Sequence, residues 1–169
     1  QDTIAYYEEF AKEKIVWASV GANEYCFVPS NYLLLDTNYF AIGLAKYHLA
    51  ILNSKLIIEK FIAETDTQVG SIVYRHYKYN FEKIPIPQLS PEQKEPFEQL
   101  VTRILAAKEA DSQADTTLWE NQIDVMVYKL YQLDYGEIRV IDPAIDAVLA
   151  SLHLTPERYA EMELADFMV

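Results

Sequence analysis

Between positions 74 and 83 the sequence reads Tyr-Arg-His-Tyr-Lys-Tyr-Asn-Phe-Glu-Lys, a run in which rings and bases interleave. Residues of these types can read nucleic acid. A tyrosine face stacks on a base, an arginine fork matches O6 and N7 of guanine, and a lysine holds a phosphate. Tyr74, Arg75, His76, Tyr77, Lys78 and Lys83 are the candidate DNA-binding residues on this ground. The same alternation also fits an ordinary amphipathic strand whose tyrosines pack on a neighbouring helix, and the residues alone leave both arrangements open.

The groups that would build a catalytic centre are missing from the sequence. There are four glycines and no glycine-rich phosphate loop, and neither a His-Glu-x-x-His nor a paired-cysteine metal spacing occurs. His48, His76 and His153 are scattered, which points to surface or half-buried side chains. The acidic pairs Glu8-Glu9 and Asp134 with Glu137 fall on expected solvent-facing turns. No nucleophile, base and oxyanion donor can be assembled, so a freestanding enzyme is the least supported class. Cys26 is the single cysteine; it is expected to be a small buried hydrophobe, and one cysteine excludes an internal disulfide and fits a reducing cytoplasm.

The elements that must carry the 74–83 run follow from periodicity. Residues 3–11 read as a helix, 14–20 as a strand, and 24–28, 32–35 and 38–42 as short strands separated by Gly21, Pro29 to Asn31 and Asp36-Thr37. Apolar residues at three- and four-residue intervals predict one amphipathic helix over 44–63. A polar loop over 64–71 then leads into a strand over 72–79, and Pro85 and Pro87 end that half. Ser90-Pro91-Glu92-Gln93 combines a capping box with proline at the first helical position, predicting a helix to about residue 111. A second helix over 116–133 would pack antiparallel to it. The tail reads as a strand over 137–141, with helices starting at Asp142-Pro143 and Thr155-Pro156-Glu157.

The 169 residues suffice for one packed domain or a domain with a helical appendage. Apolar residues are 51 % of the chain and charged residues 24 %, an ordinary globular composition that can fill a core. No apolar run approaches the roughly 18 residues of a membrane span, and the acidic start resembles no signal or transit peptide. That start also lacks an initiator methionine, as expected of a piece of a longer polypeptide. The net charge of −12 opposes nucleic-acid binding, but it is unevenly spread. Residues 1–84 carry eight Lys and Arg against ten Asp and Glu, whereas residues 85–169 carry six against sixteen. Nine of the thirteen tyrosines precede residue 85, so the two halves differ chemically.

Five segments in a fixed order carry a resemblance. Lys14-Ile15-Val16-Trp17, Asn38 to Ile42, Leu49-Ala50-Ile51-Leu52-Asn53-Ser54-Lys55-Leu56, Tyr74-Arg75 with Ile84-Pro85-Ile86-Pro87, and Ile123-Asp124 through Tyr131-Gln132-Leu133 resemble the C-terminal specificity domain of TaqI-like and type IIG restriction-modification enzymes. The likeness spans about residues 12–141 and extends to the target-recognition domains of type I specificity subunits. It implies an α+β (α/β) fold: a small mixed sheet with a packed helix in a target-recognition domain (1–90), a helical hairpin (91–133), and a strand and helical tail (134–169). It also implies double-stranded DNA as partner. An upstream adenine-specific methyltransferase domain of the same polypeptide, sometimes with an endonuclease, would act on a flipped base with S-adenosylmethionine. That domain's Asn-Pro-Pro-Tyr signature is absent here, so this segment would itself hold no cofactor and no catalytic residue.

The sequence departs from that family at two places. The loop before Tyr74, glycine-rich and basic in the family, is Glu64-Thr65-Asp66-Thr67-Gln68-Val69-Gly70 here, which opposes close approach of DNA. Residues beyond 141 add helices whose Leu152, Leu154, Tyr159 and Met162 would form an exposed apolar set for self-association or for docking an absent domain. The competing class is an acidic helical protein-interaction or oligomerisation domain with no DNA role.

Overall fold

Lys14 to Ala18 is the most buried strand of the chain, and the α+β architecture is built outward from it. The computed structural model describes residues 7–30 and 32–167. Strand β1 (Lys14–Ala18) is central in an antiparallel sheet of order β3-β1-β4, with β3 spanning Cys26–Val28 and β4 spanning Asn38–Ile42. Ile15, Val16 and Trp17 are all buried. Both faces of β1 are covered, which is why the strand reads as an unbroken apolar run rather than an alternation. Even Lys14 is enclosed, its Nζ donating to the Phe10 carbonyl at 3.0 Å.

The expected strand over 14–20 divides at Ser19. Its second piece, β2 (Val20–Gly21), joins another antiparallel sheet of order β2-β6-β5, with β5 at Thr67–Gln68 and β6 at Tyr74–Arg75. The expected strand over 32–35 does not form. Both edges of β1 are already filled by β3 and β4, and residues 32–35 remain in the connecting loop. Cys26, expected inside, is exposed on β3, whose other side pairs with β1. Partial burial of its sulfur and the nearby Glu24 raise the thiol above its ordinary value, so it is a poor nucleophile.

The helix expected over 44–63 breaks in the middle. Helix α1 (Lys46–Leu52) ends at Asn53, and a π-helical segment (Leu56–Ile62) runs into a short α2 (Ala63–Thr65). Local periodicity could not reveal the break, because distant partners cause it. Asn53 Nδ2 donates to the Tyr25 carbonyl at 2.8 Å and its Oδ1 accepts from the Tyr25 N–H at 2.9 Å, a side-chain amide standing where a further strand would pair. The Lys55 N–H donates to Asp124 Oδ1 at 2.8 Å. At the start of α1, His48 Nδ1 accepts from the Ala45 N–H at 3.0 Å, and burial holds this imidazole below its ordinary value.

Helix α4 (Pro91–Ala110) begins as predicted: Ser90 Oγ accepts from the Gln93 N–H at 3.3 Å, and Gln93 Oε1 accepts from the Ser90 N–H at 3.0 Å. Helix α5 (Thr117–Leu130) packs on α4, and α4 also lies along α1. The strand expected over 137–141 is instead helix α6 (Tyr135–Ile141), started by a reciprocal cap between Asp134 and Glu137. Those two acids have a structural use that β-branched Ile138, Val140 and Ile141 concealed. Helices α7 (Ile145–Ser151) and α8 (Pro156–Glu161) follow, the latter capped by Thr155. The tail folds back on α5: the Tyr159 hydroxyl donates to the Val125 carbonyl at 3.0 Å, and Gln122 Nε2 donates to the Phe167 carbonyl at 3.0 Å. Tyr159 and Met162 are therefore buried, and Leu152 and Leu154 half-buried against the core. The expected exposed apolar set is absent. One apolar cluster runs from Ile15 to Phe167, so the three expected segments share a core. Among the described residues no helix is long and apolar enough to cross a membrane.

A buried polar knot ties the halves. Lys55 Nζ lies 2.9 Å from Asp142 Oδ2 and 4.0 Å from Asp124 Oδ2, and the Tyr128 hydroxyl is 3.5 Å from Asp142 Oδ2. Burial pushes Asp124 up to about 7, against the opposing Lys55 N–H bond and Lys55 charge. Its folded value exceeds its unfolded one, so between about pH 4 and 7 the folded chain holds a proton that the unfolded chain releases. This group's effect on stability therefore falls as pH rises through that window, at up to about 1.4 kcal/mol per pH unit. In thermal unfolding the parent should lose stability from pH 5 to pH 8, and Asp124→Asn should show a flatter dependence over that range.

Candidate nucleic-acid interface

Period-two alternation sorts the extended residues Tyr74 to Tyr77 into an outer and an inner side. Strand β6 is the middle strand of its sheet, with Arg75 in register between Val20 of β2 and Thr67 of β5. Cross-strand partners share a face, and all three are exposed. Arg75 thus stands at the centre of an open surface with an uncharged neighbour on each side. Among the described residues no carboxylate lies within ion-pair distance of it. Tyr74 is half-buried and in register with Gly21 and Gln68.

The backbone remains extended at Tyr77, with φ −119° and ψ 132°, before it coils into helix α3 (Lys78–Phe81). The expected strand over 72–79 is therefore two residues long. Tyr77 and Tyr79 stack with centroids 5.2 Å apart and an interplanar angle of 25°. Lys83 Nζ sits 5.1 Å from the Tyr79 ring centroid, a cation–π contact that orients the ammonium. Lys78 is exposed, with Nζ 3.4 Å from Glu82. Tyr77 and Lys83 thus meet at Tyr79, a ring that the candidate set omitted.

His76 leaves the set. It is 4 % exposed and faces inward, as alternation requires of the residue between Arg75 and Tyr77. Its Nδ1 lies 2.7 Å from Asp66 Oδ2. Asn80 Nδ2 donates to Asp66 Oδ1 at 2.6 Å and to the Thr65 carbonyl at 2.8 Å. One carboxylate thus grips both ends of the segment bearing Tyr77, Lys78 and Tyr79. Beneath α3 the Phe81 ring stacks on Trp17 at 4.1 Å and 20°, and the Tyr131 hydroxyl donates to the Pro85 carbonyl at 2.8 Å. Both contacts fasten the C-terminal end of the run, one to Trp17 of β1 and the other to Tyr131 at the end of α5.

The acidic loop takes on a different meaning in this arrangement. The Asp66 side chain is 2 % exposed, and Glu64 lies 3.7 Å from Lys60. One of the loop's two acids is therefore turned into the scaffold, and the other has a cationic neighbour. The sequence signals that could have found this are Asp66 and Asn80 themselves, polar residues whose partners lie 10 and 14 positions away.

A groove of about 1090 Å³ lies between β3, α1, α4 and α5, with Cys26, Asn53, Lys55, Glu120 and Asp124 among its walls. Asn53, Lys55 and Asp124 are already engaged in the contacts above. Among the described residues no group of three or more His, Cys, Asp or Glu could hold a metal ion. Comparison of the chain with protein-family models, with curated proteins and with solved structures finds no match.

Replacing Asp66 by Ala would leave buried donors on His76 and Asn80 without their acceptor. The expected cost is about 2–3 kcal/mol in urea unfolding. Exposed Glu64→Ala should stay within about 0.5 kcal/mol of the parent.

Proposed function

We propose that the chain is a sequence-reading domain for duplex DNA, serving an adenine-specific restriction-modification methyltransferase whose S-adenosylmethionine-dependent domain lies upstream in the same polypeptide. The observation that carries the reading is the placement of Arg75: exposed, at the centre of a small sheet, between uncharged Val20 and Thr67. A guanidinium so placed is open to a guanine edge. Lys78 and Lys83, which follow it in the chain, would be phosphate contacts that set register, and Tyr77 and Tyr79 would add stacking surface. The ordered resemblance to type IIG specificity domains supplies the catalytic partner. The concentration of acidic residues beyond position 84 is compatible with this function, because the reading run holds three bases and one acid.

The test is duplex binding by fluorescence anisotropy across a salt series, on sequences selected by the parent from a random pool. Lys78→Ala and Lys83→Ala should each lower the slope of log K against log salt by about one. Arg75→Ala should cost about 1–3 kcal/mol and relax preference at one base position. A parent that retains no duplex at low salt would overturn the reading, and would favour the acidic protein-interaction domain.

A further inference from the structure

The groove between β3, α1, α4 and α5 takes no wall residue from the 74–83 run, and at about 1090 Å³ it is the size of the larger small-molecule sites. Leu49, Ile58, Val101, Ile104 and Leu105 give it an apolar lining. Three acids, Glu24, Glu120 and Asp124, and two bases, Lys55 and Lys108, carry its charge. Both bases are already taken: Lys55 Nζ lies 2.9 Å from Asp142 Oδ2, and Lys108 Nζ donates to the Ala114 carbonyl at 2.8 Å. Asp124, by contrast, has an acceptor to spare. It is 6 % exposed, and its Oδ1 takes the Lys55 N–H. Among the described residues its Oδ2 receives no hydrogen bond, and the one cation within 4.0 Å, Lys55 Nζ, lies closer to Asp142. A single ammonium thus serves two buried carboxylates, which leaves one negative charge uncompensated when both are ionised. A buried charge of that kind is neutralised by a proton or by a second cation.

We propose that this groove binds a small amphipathic amine, its ammonium on Asp124 Oδ2 and its aliphatic body against Leu49, Ile58, Ile104 and Leu105. An anion would meet only bases that already have partners, and a neutral alcohol would leave the carboxylate charge unbalanced. The charged and titratable groups facing Asp124 are Lys55 of the π-helical segment, Asp142 after α6, and Glu120 and Tyr128 of its own helix. An entering ammonium holds the carboxylate ionised and expels its proton. Binding is thereby coupled to pH. With Asp124 at about 7, the carboxyl is mostly protonated at pH 6 and mostly ionised at pH 8, so affinity should rise about tenfold between the two. An alkylammonium, like a lysine side chain at about 10.4, stays charged throughout.

Isothermal titration calorimetry of the chain with hexylammonium chloride, in two buffers of different ionisation enthalpy, reads affinity and proton release together. About one proton should leave per amine bound at pH 6, and few at pH 8. Asp124→Asn, whose amide oxygen can still accept the Lys55 N–H, should bind about tenfold more weakly or worse at pH 8. Three results overturn the site: parental affinity in Asp124→Asn, no proton release by the parent at pH 6, or 1-hexanol bound as tightly as the ammonium. The proton count and the alcohol comparison use the parent chain alone, so they decide the matter even if the variant fails to fold. None of these readings involves DNA, so the amine site and the DNA-reading function stand or fall separately.

Discussion

Asp66 is the constraint on which the candidate interface depends. Its carboxylate is enclosed, and it meets His76 and Asn80 at 2.7 and 2.6 Å. Two residues four positions apart are thereby held to a common anchor, and the chain between them must leave the strand and coil into α3. That turn brings Tyr77 and Tyr79 together and sets Lys83 over the second ring. Hydrogen bonds to a buried carboxylate are about twice as strong as neutral ones, so a short, exposed segment acquires a definite shape from the polar groups under it. Rigid support beneath a reading surface matters because base edges are discriminated by geometry.

The other long-range constraint is the Lys55 knot. It joins the segment after α1 to α5 and to the end of α6, across 69 and 87 positions of sequence. Desolvation of Asp124 opposes the attraction, so the knot is weak evidence for added stability. What it supplies is register: the Lys55 N–H bond to Asp124 ends one helix and starts a π-helical one, and so fixes how the first half meets the acidic helices. The shared core from Ile15 to Phe167 then makes the acidic half part of the scaffold.

The parts of the fold legible in the sequence are those governed by neighbours in the chain. Ser90 with Gln93, Thr155 with Pro156, and the apolar run at Ile15 to Trp17 each point to the element that forms. The parts that were not legible depend on partners far away. Asn53 and Lys55 look helical until Tyr25 and Asp124 claim them. Residues 137–141 look like a strand because branched side chains outweighed the Asp134–Glu137 cap. In the candidate site the residue types were visible, but their sides were not separated: a strand-like segment cannot present Arg75, His76 and Tyr77 together, and alternation alone could have assigned His76 to the interior. The inward turn of Asp66 is set by His76 and Asn80, 10 and 14 positions away, so the acid alone did not reveal it.

The central claim is that DNA meets this chain on the Tyr74–Lys83 run and that the acidic helices stand behind it as support. The most direct measurement is an amide chemical-shift map of the ¹⁵N-labelled chain titrated with a mixed-sequence duplex at low salt. The largest shifts should fall on residues 74–83, with α4 to α8 little changed. Shifts concentrated in α4 to α8, or none at all, would contradict the claim.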